Sequence, residues 1–176
     1  MKATVLKEKL MNHTYDFKLI NLYEDYAVLA HQRRRYVNAV ERFINLYGDR
    51  AVLRAHHFFK ENTRVRKLVK ALLDNDFNSF KSLIKESGES SYKYLQNVYT
   101  CKDPQNQAVS LALAMSEMIL EDKGVCRVHG GGFAGTIQAF VQNDYVDIYK
   151  REIEKIFGFG SCHVLKIRKT GGVRVI

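Results

Sequence analysis

The chain has 176 residues, 46% of them hydrophobic and 27% charged, a balance that excludes a disordered or fibrous chain and allows one substantial core. Its 28 Lys and Arg outnumber 19 Asp and Glu, giving a net charge of +9. No apolar run is long enough to cross a bilayer, and Met1-Lys2-Ala3-Thr4-Val5-Leu6-Lys7 leads into no apolar signal core, so a soluble, unexported, cytoplasmic protein without membrane partners is expected.

In chain order, apolar residues from Glu24 to Leu46 recur at helical spacing, with Tyr26, Leu29, Val37, Val40, Ile44 and Tyr47 as a stripe and Gly48 as its stop. The one basic cluster, Arg33-Arg34-Arg35, lies in this helix, where successive residues turn by about 100° and so fan around the axis. That arrangement suits a solvated face better than a nucleic-acid groove, and the rest of the positive charge is dispersed. A second stripe, Ala55, Phe58, Phe59, Val65, Leu68, Val69 and Leu72, predicts a helix ending at Asp74-Asn75-Asp76, whose oxygens can cap a shorter helix carrying Phe77, Phe80, Leu83 and Ile84.

Ser87-Gly88-Glu89-Ser90-Ser91 interrupts the periodicity, with the serines expected as helix caps, and Tyr92 to Tyr99 reads equally as helix or extended chain. The aromatics at Tyr92, Tyr94 and Tyr99 are expected in the core. Asp103-Pro104 predicts the start of a helix through Val109, Leu113, Met115, Met118 and Ile119, closed by Lys123-Gly124. Beyond it, Val125–His129, Thr136–Val141, Cys162–Ile167 and Val173–Ile176 predict strands, with a helix from Tyr145 to Phe157 burying Val146, Tyr149, Ile153 and Phe157. The sum is a single α+β domain over residues 1–176, with helices on one face of a mostly antiparallel four-stranded sheet.

Cys101, Cys126 and Cys162 are widely spaced and form no CxxC pair, so buried or idle thiols are expected, with Cys126 inert beside the glycine-rich segment. His56-His57 is the one adjacent histidine pair, and two neighbours on a helix cannot readily face one metal, so no metal site is assigned.

The most informative stretch is Arg127-Val128-His129-Gly130-Gly131-Gly132-Phe133-Ala134-Gly135-Thr136. Four glycines in six positions let the backbone take positive φ and bring N–H groups close to an anion such as a phosphate. Gly130, Gly132 and Gly135 satisfy GxGxxG, but a dinucleotide site needs a helix after the loop, and Thr136 onward reads as a strand. No Gly-Lys-Ser/Thr follows, which excludes a Walker A loop. Two readings stay open: a phosphate-proximal loop of Gly130, Gly131, Gly132, Phe133 and Gly135 with Arg127 and His129 as neighbours, or a glycine-rich hairpin packed closely on a neighbouring element.

The segment His129-Gly130-Gly131-Gly132-Phe133-Ala134-Gly135 resembles the third conserved motif of GHMP kinases, Thr-Gly-Gly-Gly-Phe-Gly-Gly in galactokinases. Arg54-Ala55-His56-His57 and Glu61-Asn62-Thr63-Arg64-Val65 resemble the galactokinase helix Arg-Ala-x-His followed by Glu-Asn-x-Arg-Val. Ser87-Gly88-Glu89-Ser90-Ser91, Tyr94-Leu95-Gln96-Asn97-Val98-Tyr99 and Gly171-Gly172 are similar to galactokinases of the clostridial type. The resemblance covers residues 50–176 well and the helical residues 1–49 loosely. Gly88 stands where the common family has a histidine, and the family's acidic triplet beyond that segment is absent.

The resemblance implies a C-terminal, ferredoxin-like GHMP kinase domain from an enzyme that uses ATP and Mg2+ to phosphorylate galactose. The family's N-terminal sugar-binding segment and its Pro-x-x-x-Gly-Leu-Ser-Ser-Ser phosphate loop do not occur in this chain, so the resemblance assigns no catalytic residue here and implies inactivity alone. It also implies partnership with an N-terminal galactokinase half and a lobe interface, around Phe133, through which copies of the chain could associate. The alternative is a non-enzymatic regulatory, ligand-binding or nucleic-acid-binding module built on the same fold, with nucleic acid the less expected partner.

Overall fold

A computed structural model describes residues 33–133 and 135–166. The expected helix residues Tyr26 and Leu29, the strand Val173–Ile176, Gly171-Gly172 and Ala134 lie outside them. Helix α1 spans Arg33–Tyr47 and stops at Gly48, whose φ of 77° reverses the chain into α2, Asp49–Leu73. At the end of α2, Asp76 caps α3, Phe77–Ser90, by accepting the Ser79 N–H at 3.0 Å, as the Asp-Asn-Asp sequence predicts.

Ser87-Gly88-Glu89-Ser90 does not break the chain, as its composition suggested. It forms the last turn of α3 and runs into a π-helical turn, Ser91–Leu95, that ends at Gln96 with φ 54°. Gly88 is tolerated in the helix because α3 presses there on a neighbouring strand, where an added Cβ would lie 3.2 Å from Arg127 Cβ.

A second correction concerns Asp103-Pro104, which forms a turn ahead of the next helix. The Asp103 carboxylate accepts from the Asn106 N–H at 3.3 Å and from Asn106 Nδ2 at 2.8 Å, so α4 begins only at Ala108 and ends at Leu120. Local side-chain hydrogen bonding has outcompeted helix initiation. Gly124 does not close this helix but opens strand β1, Gly124–Val128, which pairs antiparallel with β2, Ile137–Val141. A Cβ at Gly124 would come within 2.5 Å of the Phe140 carbonyl oxygen. Helix α5, Val146–Phe157, follows, with Tyr149 and Ile153 buried and Val146 and Phe157 partly so.

Two of the four expected strands are formed among the described residues; Cys162–Lys166 is not a strand there, and Val173–Ile176 lies outside them. The register pairs Cys126 with Ala139 and Arg127 with Gln138. Alternation then sends Cys126, Val128, Ala139 and Val141 to one face, where they meet Leu120, Val109, Tyr149 and Ile153 of α4 and α5. The other face carries Arg127 and Phe140 toward α3, with Phe80 edge-on to Phe140 at 5.1 Å between ring centroids. Helices therefore cover both faces of the hairpin, and the expected one-sided arrangement is corrected.

The apolar stripe of α2 is corrected too. Its buried positions are Ala55, His57, Arg64 and Ala71, whereas Val65, Val69 and Leu72 are about half exposed. Tyr92 and Tyr99, expected in the core, are 45% and 39% exposed and stack loosely on each other instead.

Candidate functional site

The glycine-rich segment is the connection of the β1–β2 hairpin. His129 N–H donates to the Thr136 carbonyl at 3.2 Å, closing the hairpin one step beyond the last paired residues. Gly130, Gly132 and Gly135 have φ of 60°, 66° and 80°, and Phe133 is also left-handed at 50°. The glycines relieve the strain of such a path, and Phe133 tolerates it because its N–H is fixed to the Asn97 carbonyl at 2.9 Å.

Gly132 is buried against Asn97, so closely that a Cβ at 132 would stand 2.0 Å from the Asn97 carbonyl oxygen and 2.6 Å from its Nδ2. By contrast, a Cβ at Gly130, Gly131 or Gly135 would meet nothing within 4 Å. The loop thus has a packed side at Gly132 and an open side at Gly130-Gly131. His129 is exposed at its mouth and Phe133 is 52% exposed. Of the two open readings, the segment is a hairpin connection packed on a neighbour at Gly132.

Asn97 is held from below. Arg54 Nε of α2 donates to the Leu95 carbonyl at 3.3 Å and Arg50 Nη2 to the Gln96 carbonyl at 3.4 Å. Three consecutive carbonyls, those of residues 95, 96 and 97, therefore each have a partner, two on α2 and one on the loop.

The other end of the loop is tied through Arg127. Its Nη1 donates to Ser87 Oγ at 2.6 Å and lies 3.3 Å from Glu61 Oε1, which accepts from Ser87 Oγ at 2.6 Å. The second Glu61 oxygen takes the Arg64 guanidinium, and Arg64 Nε approaches Glu86 at 3.6 Å. One carboxylate on α2 thereby binds α3 and β1 together in a partly buried setting where charge-assisted hydrogen bonds are strong. With both oxygens occupied by cations and a hydroxyl, Glu61 acts as a tie, not a free base.

His56 and His57 diverge as adjacent helical residues must. His56 stacks near Tyr94 at 4.8 Å, and His57 Nδ1 is hydrogen-bonded to Ser90 Oγ at 2.9 Å. Burial first, then the nearby Lys60 and Arg64, lowers the pKa of His56; burial also leads the lowering at His57, against the opposing pull of Glu61. Ser87 and Ser90 thus serve long-range polar contacts and not helix caps.

Cys126 is buried, and burial with the nearby Glu117 pushes its thiol up to about 12, so it stays protonated and unreactive. Cys162 is partly buried and its thiol is also pushed up, chiefly by burial, whereas Cys101 is exposed.

Sequence reasoning singled out the loop but not the residues that set its position. Glu61, Arg64 and Asn97 lay inside the quoted motifs without assigned roles, because each acts across a distance in sequence that periodicity does not register. Among the described residues no group of three or more His, Cys, Asp or Glu side chains stands together to hold a metal, and no helix is long and apolar enough to cross a membrane.

No protein-family model matches the chain. It is 30% identical over 130 residues to the galactokinase of Haemophilus influenzae, a match covering 72% of this chain and 32% of that relative. It is 33% identical over 103 residues to the galactokinase of Clostridium acetobutylicum, covering 57% of this chain and 24% of the relative. The galactokinase of Staphylococcus saprophyticus is 29% identical over 118 residues, or 66% of this chain and 28% of the relative. The chain is galactokinase-like over these stretches, and it spans about a third or less of the length of the relatives it matches.

Proposed function

We propose that this chain is the C-terminal lobe of a galactokinase of the clostridial type, a GHMP sugar kinase that transfers the γ-phosphoryl group of ATP to the anomeric hydroxyl of galactose in the cytoplasm. The observation that carries the reading is the glycine loop, which rests on Asn97 at Gly132 and is open at Gly130 and Gly131, within a chain similar to galactokinases. Phosphoryl transfer depends on positioning and on stabilising charge, so a loop of fixed N–H donors contributes without supplying an acid or base. The loop residues Gly130 and Gly131 suit a phosphoryl oxygen of ATP. No described cluster of carboxylates suits Mg2+, which on this reading is held by the other lobe.

In this account the lobe is of the ferredoxin-like GHMP kinase type and docks on an N-terminal partner, in the same or a separate chain. The Glu61–Ser87–Arg127 tie fixes β1, and the 95–97 carbonyl ladder fixes the loop, so that the lobe presents Gly130 to Phe133 at the junction of the two halves. The chain alone lacks the residues that position galactose and accept its proton. Purified chain with ATP, Mg2+ and galactose should form galactose 1-phosphate no faster than a heat-inactivated control. Turnover clearly above that control would overturn the assignment of catalysis to the missing half.

A further inference from the structure

Arg50 and Arg54 stand one turn apart on α2, and each guanidinium is held by a backbone carbonyl and by no carboxylate. Arg54 Nε donates to the Leu95 carbonyl at 3.3 Å and Arg50 Nη2 to the Gln96 carbonyl at 3.4 Å. Among the described residues neither forms an ion pair, whereas Arg64, further along the same helix, has both Glu61 and Glu86. Like charges four residues apart on a helix repel each other. Arg54 registers that repulsion: burial first, and then the Arg50 charge, hold its guanidinium below the ordinary value.

The two side chains are also aimed. Their anchors are the oxygens of successive peptide units, so the guanidiniums lie side by side over the turn that closes the π-helical segment. Arg54 uses only Nε on the backbone, which leaves its Nη1–Nη2 fork, and Arg50 uses only Nη2, which leaves Nε and Nη1. None of these nitrogens is a buried donor without a partner, Arg50 is exposed and Arg54 is partly so, and the unused N–H groups therefore face solvent. Capping the turn explains the anchors but not the pair, because one guanidinium has five N–H donors and can serve two adjacent carbonyls.

Two adjacent guanidiniums match an oxyanion that carries two negative charges. A phosphoryl group has about that charge at neutral pH and accepts on three oxygens, whereas a single carboxylate would neutralise only one of the two cations. We infer that Arg50 and Arg54 form a phosphoryl-binding site, in which both donate to one phosphate group through the nitrogens they do not use on the backbone. The site lies on α2, apart from Gly130 and Gly131, and rests on no ligand role for the glycine loop.

The test uses the full 176-residue chain, with inorganic phosphate, pyrophosphate and ATP as probes in chloride buffer of constant ionic strength. The Nε–H signals of Arg50 and Arg54 are followed by NMR, and thermal melting is recorded in parallel. Both signals should move together along one saturating curve. Arg50→Gln and Arg54→Gln each remove one charged donor group and should bind roughly tenfold more weakly. Arg50→Lys, which keeps the charge without the fork, should recover part of the affinity. Without any probe, Arg50→Gln should melt at or above the wild-type temperature, because it relieves the repulsion at an exposed position.

Signals that stay in place with all three probes would overturn the inference. So would an Arg50→Gln chain that binds as the wild type does, or one that melts lower with binding intact, which is the behaviour of a residue that only caps the turn. Arg50 is exposed, so its two variants decide the matter even where Arg54→Gln fails to fold. Tighter binding of ATP than of pyrophosphate would confirm the site and assign it to a nucleotide, and equal binding of all three probes would confirm it as a site for free phosphate.

Discussion

The Phe133 N–H donates to the Asn97 carbonyl at 2.9 Å, joining residues far apart in sequence and pinning the glycine loop to the turn that ends the π-helical segment. The contact is tight enough to make the adjacent glycine obligatory. Gly132→Ala would force a Cβ to within 2.0 Å of the Asn97 carbonyl at a φ of 66°, and should destabilise the chain by roughly 2–4 kcal/mol. Gly131→Ala, with open space around its Cβ position, should change stability by less than about 0.5 kcal/mol. Urea melts of the two variants check the contrast, and equal effects would mean that the loop does not rest on Asn97.

Glu61 gathers Arg64, Ser87 and Arg127 into one network, so its loss leaves two partly buried guanidiniums without their shared counter-charge. Glu61→Gln should lower stability by about 2–3 kcal/mol and Ser87→Ala by about 1 kcal/mol. Combining them should cost less than the sum, since both act on one network. Denaturant titrations of the four chains measure the coupling, and strict additivity would argue against a shared tie.

These two sites mark where sequence reasoning reached and where it stopped. The Asp76 cap, the Gly48 stop and the β1–β2 hairpin are local, and local chemistry predicts them. The helical run through Ser87-Gly88-Glu89-Ser90 was not legible, because what stabilises it is a strand pressed onto Gly88 and distant partners for the two serines. Asp103-Pro104 misled for the opposite reason, since its side chain satisfies a turn three residues long before a helix can start. The α2 stripe holds at Ala55 and in part at Phe58, Phe59 and Leu68 but not at Val65, Val69 and Leu72, because α2 also buries the polar His57 and Arg64.

His57 supplies a pH dependence. Burial lowers its pKa in the folded chain below the ordinary value near 6.5, and His56 shifts the same way. The unfolded chain then binds more protons as pH falls below about 6.5, so the contribution is fully present above that value and is lost as acid carries the solution down toward the folded pKa. The melting temperature should drop between neutral pH and about pH 5, with a shallower drop in His57→Gln. An identical slope in the variant would remove His57 from the explanation.

Phe133 is 52% exposed beside the glycine loop, on the face proposed to meet the N-terminal half. Without that half, burying its ring offers roughly 25 cal/mol per Å2 to any apolar contact, including one with a second copy. Sedimentation should detect concentration-dependent association that Phe133→Asp weakens without lowering the melting temperature. A wild-type chain that is monomeric at every accessible concentration would exclude this interface.

The central claim is that this chain is one lobe of a galactokinase, and reconstitution tests it most directly. The chain is joined to, or mixed with, the N-terminal two-thirds of a galactokinase, and ATP-dependent formation of galactose 1-phosphate is followed against each part alone. The account predicts turnover only when both parts are present, reduced by Gly132→Ala and Glu61→Gln in the same order as their effects on stability. Turnover by the chain alone, or no turnover from a folded and associated pair, would contradict it.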